Sequence, residues 1–275
     1  MLSPFTQDGG WLTGYTIDRG LEGIIRGACY YKKKKFRFCY CDTHWDLDAE
    51  RETTTAVSPL IEVVAPENVG QVPLSTALPI LIRDNHWCAV TVHTLSRKVL
   101  FHDSLIHSGR HVPDYMMSIA SRALAYVSAM CHSRGWTKVV EGSNWHVSSE
   151  YPWAGHWIVE AYCTAEDGQT NSNDCGVFML SNVHLAFHDD LLRPSRKCRT
   201  QQTTIPFLRQ SFFSYLREGI NASIPVDGHP VGAPKSLRVP NVCCEFEINE
   251  DQLARARIKL DRLRRWRDEA LGRLP

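Results

Sequence analysis

The chain is predicted to fold as an α+β domain, a mixed central sheet flanked by helices. Three patterns predict it. Short extended runs rich in β-branched and aromatic residues recur through the first hundred positions. Beyond Asp114 the apolar residues fall at helical spacing, and a polar cluster at 171–174 runs straight into Val177-Phe178-Met179-Leu180. Alternation of extended and helical patterns puts helices on the faces of a sheet. A chain of 275 residues is long enough to bury one substantial core and carry a tail.

The elements follow in order. A first helix is expected over 15–26 and a strand over 36–41, with further strands at 61–64, 78–82, 88–93 and 98–102. Asp114 then caps a helix in which Met116, Ile119, Ala123, Val127 and Met130 share one face. Short apolar runs at 139–140 and 157–161 are strand candidates. A helix over 174–187 and a last domain helix over 205–216 complete the domain, assigned to residues 1–222. Past it, Pro225, Gly228, Pro230, Gly232, Pro234 and Pro240 read as a linker over 223–248. Residues 249–275 form a basic amphipathic helix, with Leu253, Ala256, Leu260 and Leu263 on one stripe and Arg255, Arg257, Lys259 and Arg262 opposite. Such a helix docks on the domain, forms a short coiled coil, or meets a protein, nucleic-acid or membrane partner.

Composition narrows the function classes. A net charge of +1 argues against a general nucleic-acid binder, and no run of 18 apolar residues suggests a membrane span. The N-terminus lacks a charged-then-apolar secretory pattern. Ten cysteines are scattered rather than framed, which fits reduced thiols in nucleus or cytoplasm.

One of those cysteines stands apart. Asp174-Cys175-Gly176-Val177 lies where the polar cluster meets the apolar run, so Cys175 falls in the first turn of a helix. A sulfur there meets unpaired backbone N–H groups and the positive end of the helix dipole. Gln169, six residues upstream, is near enough to donate its amide N–H to a developing oxyanion. A base is still required. His86, in Asn85-His86-Trp87, opens the expected strand 88–93, and Asp103 ends the next one, followed by Ser104. Adjacent strands can set that carboxylate beside the imidazole, fixing its tautomer. His146 and His156 are alternative bases, but neither is followed at strand spacing by a carboxylate and serine.

The order His86, Asp103, Gln169, Cys175 resembles the ubiquitin-like-protein-specific cysteine proteases, the SUMO (sentrin) protease family of the papain-like clan. In that family a His-Trp pair opens a strand and an Asp-Ser pair follows, here 17 residues after His86. A glutamine then precedes an Asp-Cys-Gly-Val/Ile-Phe helix start. Gly10-Trp11-Leu12-Thr13-Gly14 resembles the family's Trp-Leu-Asn-Asp element, and the likeness runs over residues 10–220. It implies a papain-like fold with the nucleophile at the N-terminus of a central helix. It implies a thiol protease that cleaves after the C-terminal Gly-Gly of SUMO, or next of ubiquitin, through a thioester and without metal or organic cofactor. Cys175 is then the nucleophile, His86 the base, Asp103 its orienting carboxylate and Gln169 the oxyanion donor. Trp11 and Trp87 match the family's walls of a narrow tunnel that binds the Gly-Gly tail. Indole walls exclude side chains, so only glycine passes.

Several features depart from the family. Thr13 and Gly14 replace the usual Asn and Asp. The segment Lys32-Lys33-Lys34-Lys35 has no counterpart and reads as an exposed turn or a nuclear localisation signal. The stretch 141–163, with Trp145, Trp153 and Trp157, is longer and more aromatic than expected. Cys39-x-Cys41-x-x-His44 suggests zinc ligands, but a second ligand pair at structural-zinc spacing is absent. Two rival functions share the residues: an acetyltransferase of the same clan, which needs acetyl-coenzyme A, and a catalytically silent modifier-binding module.

Overall fold

The computed structural model describes residues 10–31, 38–40, 61–63, 70–82, 85–94, 96–105, 114–137, 153, 155–161, 169–188, 205–206, 208–210, 243–251, 253–255 and 258. In chain order the elements are α1 (Gly14–Tyr31), β1 (Phe38–Tyr40), β2 (Ile61–Val63), β3 (Ser75–Ile82), β4 (His86–His93), β5 (Lys98–His102), α2 (Asp114–Ser133), β6 (Gly155–Ala161), α3 (Cys175–His188) and β7 (Cys243–Ile248). The strands form one seven-stranded sheet in the order β2-β1-β3-β4-β5-β6-β7. It is mixed: β1–β3 and β5–β6 pair parallel, and the other neighbours pair antiparallel. The fold is α+β, as expected.

Side-chain alternation divides the core into two layers. On one face Cys88, Val90 and Val92 of β4 and Val99 and Phe101 of β5 pack against Met116, Ala120, Ala123, Leu124 and Val127 of α2. On the other, Trp87, Ala89 and Leu100 meet Ile17, Leu21 and Ile24 of α1 and Val177, Phe178 and Leu180 of α3. This is the period-two pattern of strands buried on both sides. Helices α1 and α3 approach closely because both carry glycine at the contact. A Cβ on Gly20 would sit 2.7 Å from Cδ1 of Leu180, and one on Gly176 would sit 3.1 Å from Cβ of Leu12.

The helix starts follow from local chemistry. Thr13, which replaces the family's usual asparagine, accepts the Thr16 N–H on its Oγ1 at 3.3 Å and so caps α1. Its carbonyl accepts the Ile17 N–H at 3.0 Å. The Asp174 carbonyl likewise accepts the Phe178 N–H at 3.0 Å and opens α3 at Cys175.

Two expectations need correction. The span 223–248 is not wholly a linker, because residues 243–248 form β7 and pair with β6 from Gly155↔Ile248 to Glu160↔Cys243. Its alternation (Cys244, Phe246 and Ile248 against Cys243, Glu245 and Glu247) is a strand period, masked by the proline- and glycine-rich texture before it. Helix α1 also runs to Tyr31 rather than ending at residue 26. At the C-terminal end, Leu253 is fully buried in the α2-side core, so the start of the basic helix packs on the domain. Residues 259–275 of that helix, the lysine run 32–35, Cys41, His44 and residues 139–140 lie outside the described residues.

Candidate active site

Strand β4 begins where β5 ends, and this end of the sheet faces the N-terminus of α3. The topology brings three of the expected residues together. His86, the first residue of β4, holds Oδ1 of Asp103 through Nε2 at 2.7 Å. The Cys175 side chain lies near enough to the ring for its hydrogen bonding and charge to raise the imidazole's pKa. The Trp87 backbone N–H donates to the Cys175 sulfur at 3.4 Å. Imidazole, carboxylate and thiol therefore lie together, and the sulfur has a backbone donor beside it.

Electrostatics reinforce the unit. Burial alone would lower the His86 pKa. The hydrogen bonds to Asp103 and Cys175, together with their charges, outweigh it and raise the value to about 9. Asp103 is buried and additionally accepts the Leu105 N–H at 2.8 Å on Oδ1, which fixes the carboxylate for its partner. Neighbouring Cys88 is different: burial first, and then the charges of Asp103 and Cys175, push its thiol well up. Of the two, Cys175 alone stands at a helix start.

Gln169 is joined to the end of β5 by two bonds. Its N–H donates to the Ser104 carbonyl at 3.0 Å, and its Oε1 accepts the Ser104 hydroxyl at 2.8 Å. Its Nε2 donates to the Asn171 carbonyl and, at 3.4 Å, to Asn171 Oδ1. The two tryptophans sit differently. Trp11 is 43% exposed, whereas Trp87 is 5% exposed and packs in the α3-side core. They are linked through Leu12, whose carbonyl accepts the Trp87 indole N–H at 2.9 Å. Of the alternative bases, His156 lies in β6, two strands from His86 in the sheet, and His146 is outside the described residues. No cluster of metal-ligating side chains occurs among the described residues, and no helix among them is long and apolar enough to cross a membrane.

The residue that sequence reasoning missed is Arg209. Its guanidinium donates through Nε to Asp174 Oδ1 at 3.0 Å and through a terminal nitrogen to the same oxygen and to the Gly10 carbonyl, the latter at 2.9 Å. Asp174 Oδ2 in turn accepts from Asn171 Nδ2 at 2.6 Å. One buried cation thus ties the residue before Cys175 to the residue before Trp11. The only signal in the sequence was a lone arginine among Ile205, Phe207 and Leu208.

Residues 76–221, more than half of the chain, match the family model described as the Ulp1 protease family, C-terminal catalytic domain. No protein with a curated description matches. Among solved structures, the Ulp1-like SUMO protease catalytic domain of Chaetomium thermophilum is 16% identical, with a TM-score of 0.51 over 81% of this chain and 79% of that one. The yeast Ulp1 protease domain, solved in complex with Smt3, is 13% identical, with a TM-score of 0.46 over 78% of this chain and 79% of that one. At such identities the first likeness speaks for the fold. The family match contains His86, Asp103, Gln169 and Cys175 in order, and the chain belongs to the Ulp1 protease family.

Proposed function

We propose that this protein is a thiol protease that cleaves after the C-terminal Gly-Gly of a ubiquitin-like modifier, with SUMO ranked ahead of ubiquitin. The observation that carries the reading is the His86–Asp103 bond next to the Cys175 sulfur, which accepts the N–H of Trp87, the residue after His86. An imidazole oriented by a carboxylate beside a thiol at a helix start is the arrangement that nucleophilic acyl transfer needs.

In this reading His86 takes the proton of the Cys175 thiol and becomes imidazolium, and the sulfur attacks the carbonyl carbon of the modifier's last glycine. The oxyanion is met by Gln169 and by backbone N–H groups at the start of α3, each donor worth on the order of 3 kcal/mol. As the C–N bond breaks, the His86 imidazolium gives its proton to the leaving lysine amine and a thioester remains. The neutral imidazole then takes a proton from water, whose oxygen attacks the thioester. The modifier leaves as a carboxylate and the thiol is restored. Besides water and the substrate, these steps call for no metal or organic cofactor. Trp11 and Trp87 are assigned to the walls of the Gly-Gly channel. The bond from the Trp87 indole to Leu12 supports this, since it sets the two aromatic residues on one scaffold. The substrate class fits the nucleus or cytoplasm.

Replacement of Cys175 by Ala tests the proposal. Cleavage of a SUMO conjugate is expected to vanish while the variant still binds the conjugate. A SUMO carrying a C-terminal vinyl sulfone should add its mass to the native chain and not to the variant. Undiminished turnover in Cys175→Ala would end the proposal.

A further inference from the structure

We infer that Ser104 is a positioning residue for the oxyanion site: it selects which end of the Gln169 amide faces the reacting carbonyl. The inference deepens the proposed function and rests on Gln169 acting there as a donor.

A glutamine amide has one accepting end and one donating end, and rotation of its last torsion exchanges them at little cost. Only the donating end stabilises a forming oxyanion; the accepting end would repel it. Gln169 is partly exposed, so packing alone does not choose between the two. Ser104 does. It is buried at 4% exposure, and its hydroxyl donates to Gln169 Oε1 at 2.8 Å. The flipped amide would set Nε2 in that place. The Gln169 N–H, held at 3.0 Å by the Ser104 carbonyl, fixes the base of the same side chain. Nε2 carries two hydrogens. The Asn171 carbonyl takes one, and the other makes only the long 3.4 Å contact to Asn171 Oδ1, which a substrate oxygen would displace.

Ser104 also follows Asp103 directly, and the Leu105 N–H donates to the Asp103 carboxylate. Three consecutive residues at the end of β5 thus orient the group that steers the imidazole and the group that steers the amide. The end of one strand sets the spacing between base and oxyanion donor. This gives the Asp-Ser pair a use for its second member.

A double-mutant cycle on a SUMO–aminomethylcoumarin substrate tests the assignment. Active enzyme is counted by reaction of Cys175 with SUMO vinyl sulfone, so misfolded protein does not enter the rates. Ser104→Ala is expected to lower kcat about tenfold, a fraction of what loss of an entire oxyanion donor costs, with KM within about twofold. Ser104→Thr, which keeps the hydroxyl, should recover most of the loss. In a Gln169→Ala background the Ser104→Ala change should shrink below about twofold, because the amide it steers is gone. The alkaline limb of the rate profile should not move in Ser104→Ala, since His86 and Asp103 keep their bond. A tenfold loss that persists without Gln169, or a native rate in Ser104→Ala while Gln169→Ala is slow, overturns the role of Ser104 alone. A native rate in Gln169→Ala overturns the oxyanion reading and the inference with it. Should Ser104→Ala yield no titratable enzyme, Ser104→Cys, a weak donor of similar size, is expected to fall between Ala and Thr, and a rate below that of Ala would oppose the assignment.

Discussion

The two faces of the sheet are built from the same strands and do different work. Toward α2, the middles of β4 and β5 present Cys88, Val90, Val92, Val99 and Phe101, and the helix answers with aliphatic side chains. Toward α1 and α3, Trp87, Ala89 and Leu100 alternate along the strands with Thr91 and His102, which bond each other at 2.8 Å, and α3 brings Cys175. One layer holds the sheet mainly by apolar contact. In the other Thr91 and His102 are buried and hold each other, and it lies against the helix whose N-terminus carries the thiol. His86 shares the parity of Cys88 and Asp103 that of Phe101, so the reactive groups are set apart by standing at the sheet end, beyond the packed middle of the strands.

The sharpest test of that division acts at the sheet end. Asp103→Asn should lower kcat/KM on the order of 10^3- to 10^4-fold, because the imidazole loses both its orientation and its charge partner. The alkaline limb should fall from about 9 toward ordinary imidazole values, since burial then lowers the His86 pKa with less to oppose it. A limb that stays near 9 would remove Asp103 from that role. Next comes Arg209→Ala, which leaves the Asp174 carboxylate buried without its cation; the two side chains are only 4% and 5% exposed. Denaturant titration should show a loss of about 3–5 kcal/mol, against less than about 1 kcal/mol for Arg19→Ala, whose Glu22 bridge is exposed. Equal losses would show that the clamp contributes no more than a surface pair. On the apolar face, Leu124→Ala should cost about 2–5 kcal/mol and leave kcat unchanged at temperatures where the protein is folded. A reduced kcat there would mean that the faces are coupled.

Much of this was legible in the sequence, for identifiable reasons. Strand β5 and helix α2 announce themselves by period, and Met116, Ile119, Ala123, Val127 and Met130 are all buried as their spacing requires. His86, Asp103 and Cys175 lie at or beside element ends, where a strand start, a strand end and a helix start each leave a local signature. Strand β3 was expected only over 78–82, but it begins at Ser75. Pro79 pairs with Ala89 on β4, while β1 reaches only Ser75, Thr76 and Ala77, so the missing N–H falls where the β1 ladder does not extend. Strand β7 and Arg209 were not legible, because both depend on pairing across long separations. Strand β7 joins β6 some ninety residues upstream in sequence, and Arg209 meets Gly10 across 199 residues. No local pattern encodes which distant carbonyl an arginine will find.

The last test separates two histidines on neighbouring strands. Burial lowers the His102 pKa to about 3, so the folded protein keeps that ring neutral. An unfolded histidine titrates near about 6.5. Between those values the unfolded chain binds a proton that the folded chain refuses, and stability falls as pH drops from about 6.5 toward 3. His86 runs the other way. Raised to about 9, it contributes stability that is fully present below about 6.5 and is lost as pH rises through 9. Urea midpoints across this range should therefore fall off on both sides. His102→Gln should flatten the acid side alone, by at most about 1.4 kcal/mol per pH unit for one proton. His86→Gln should flatten only the alkaline side. If His102→Gln instead flattened the alkaline side, the interior ring and the active-site ring would be one titrating system, and the separation of packing from chemistry along the strands would not hold.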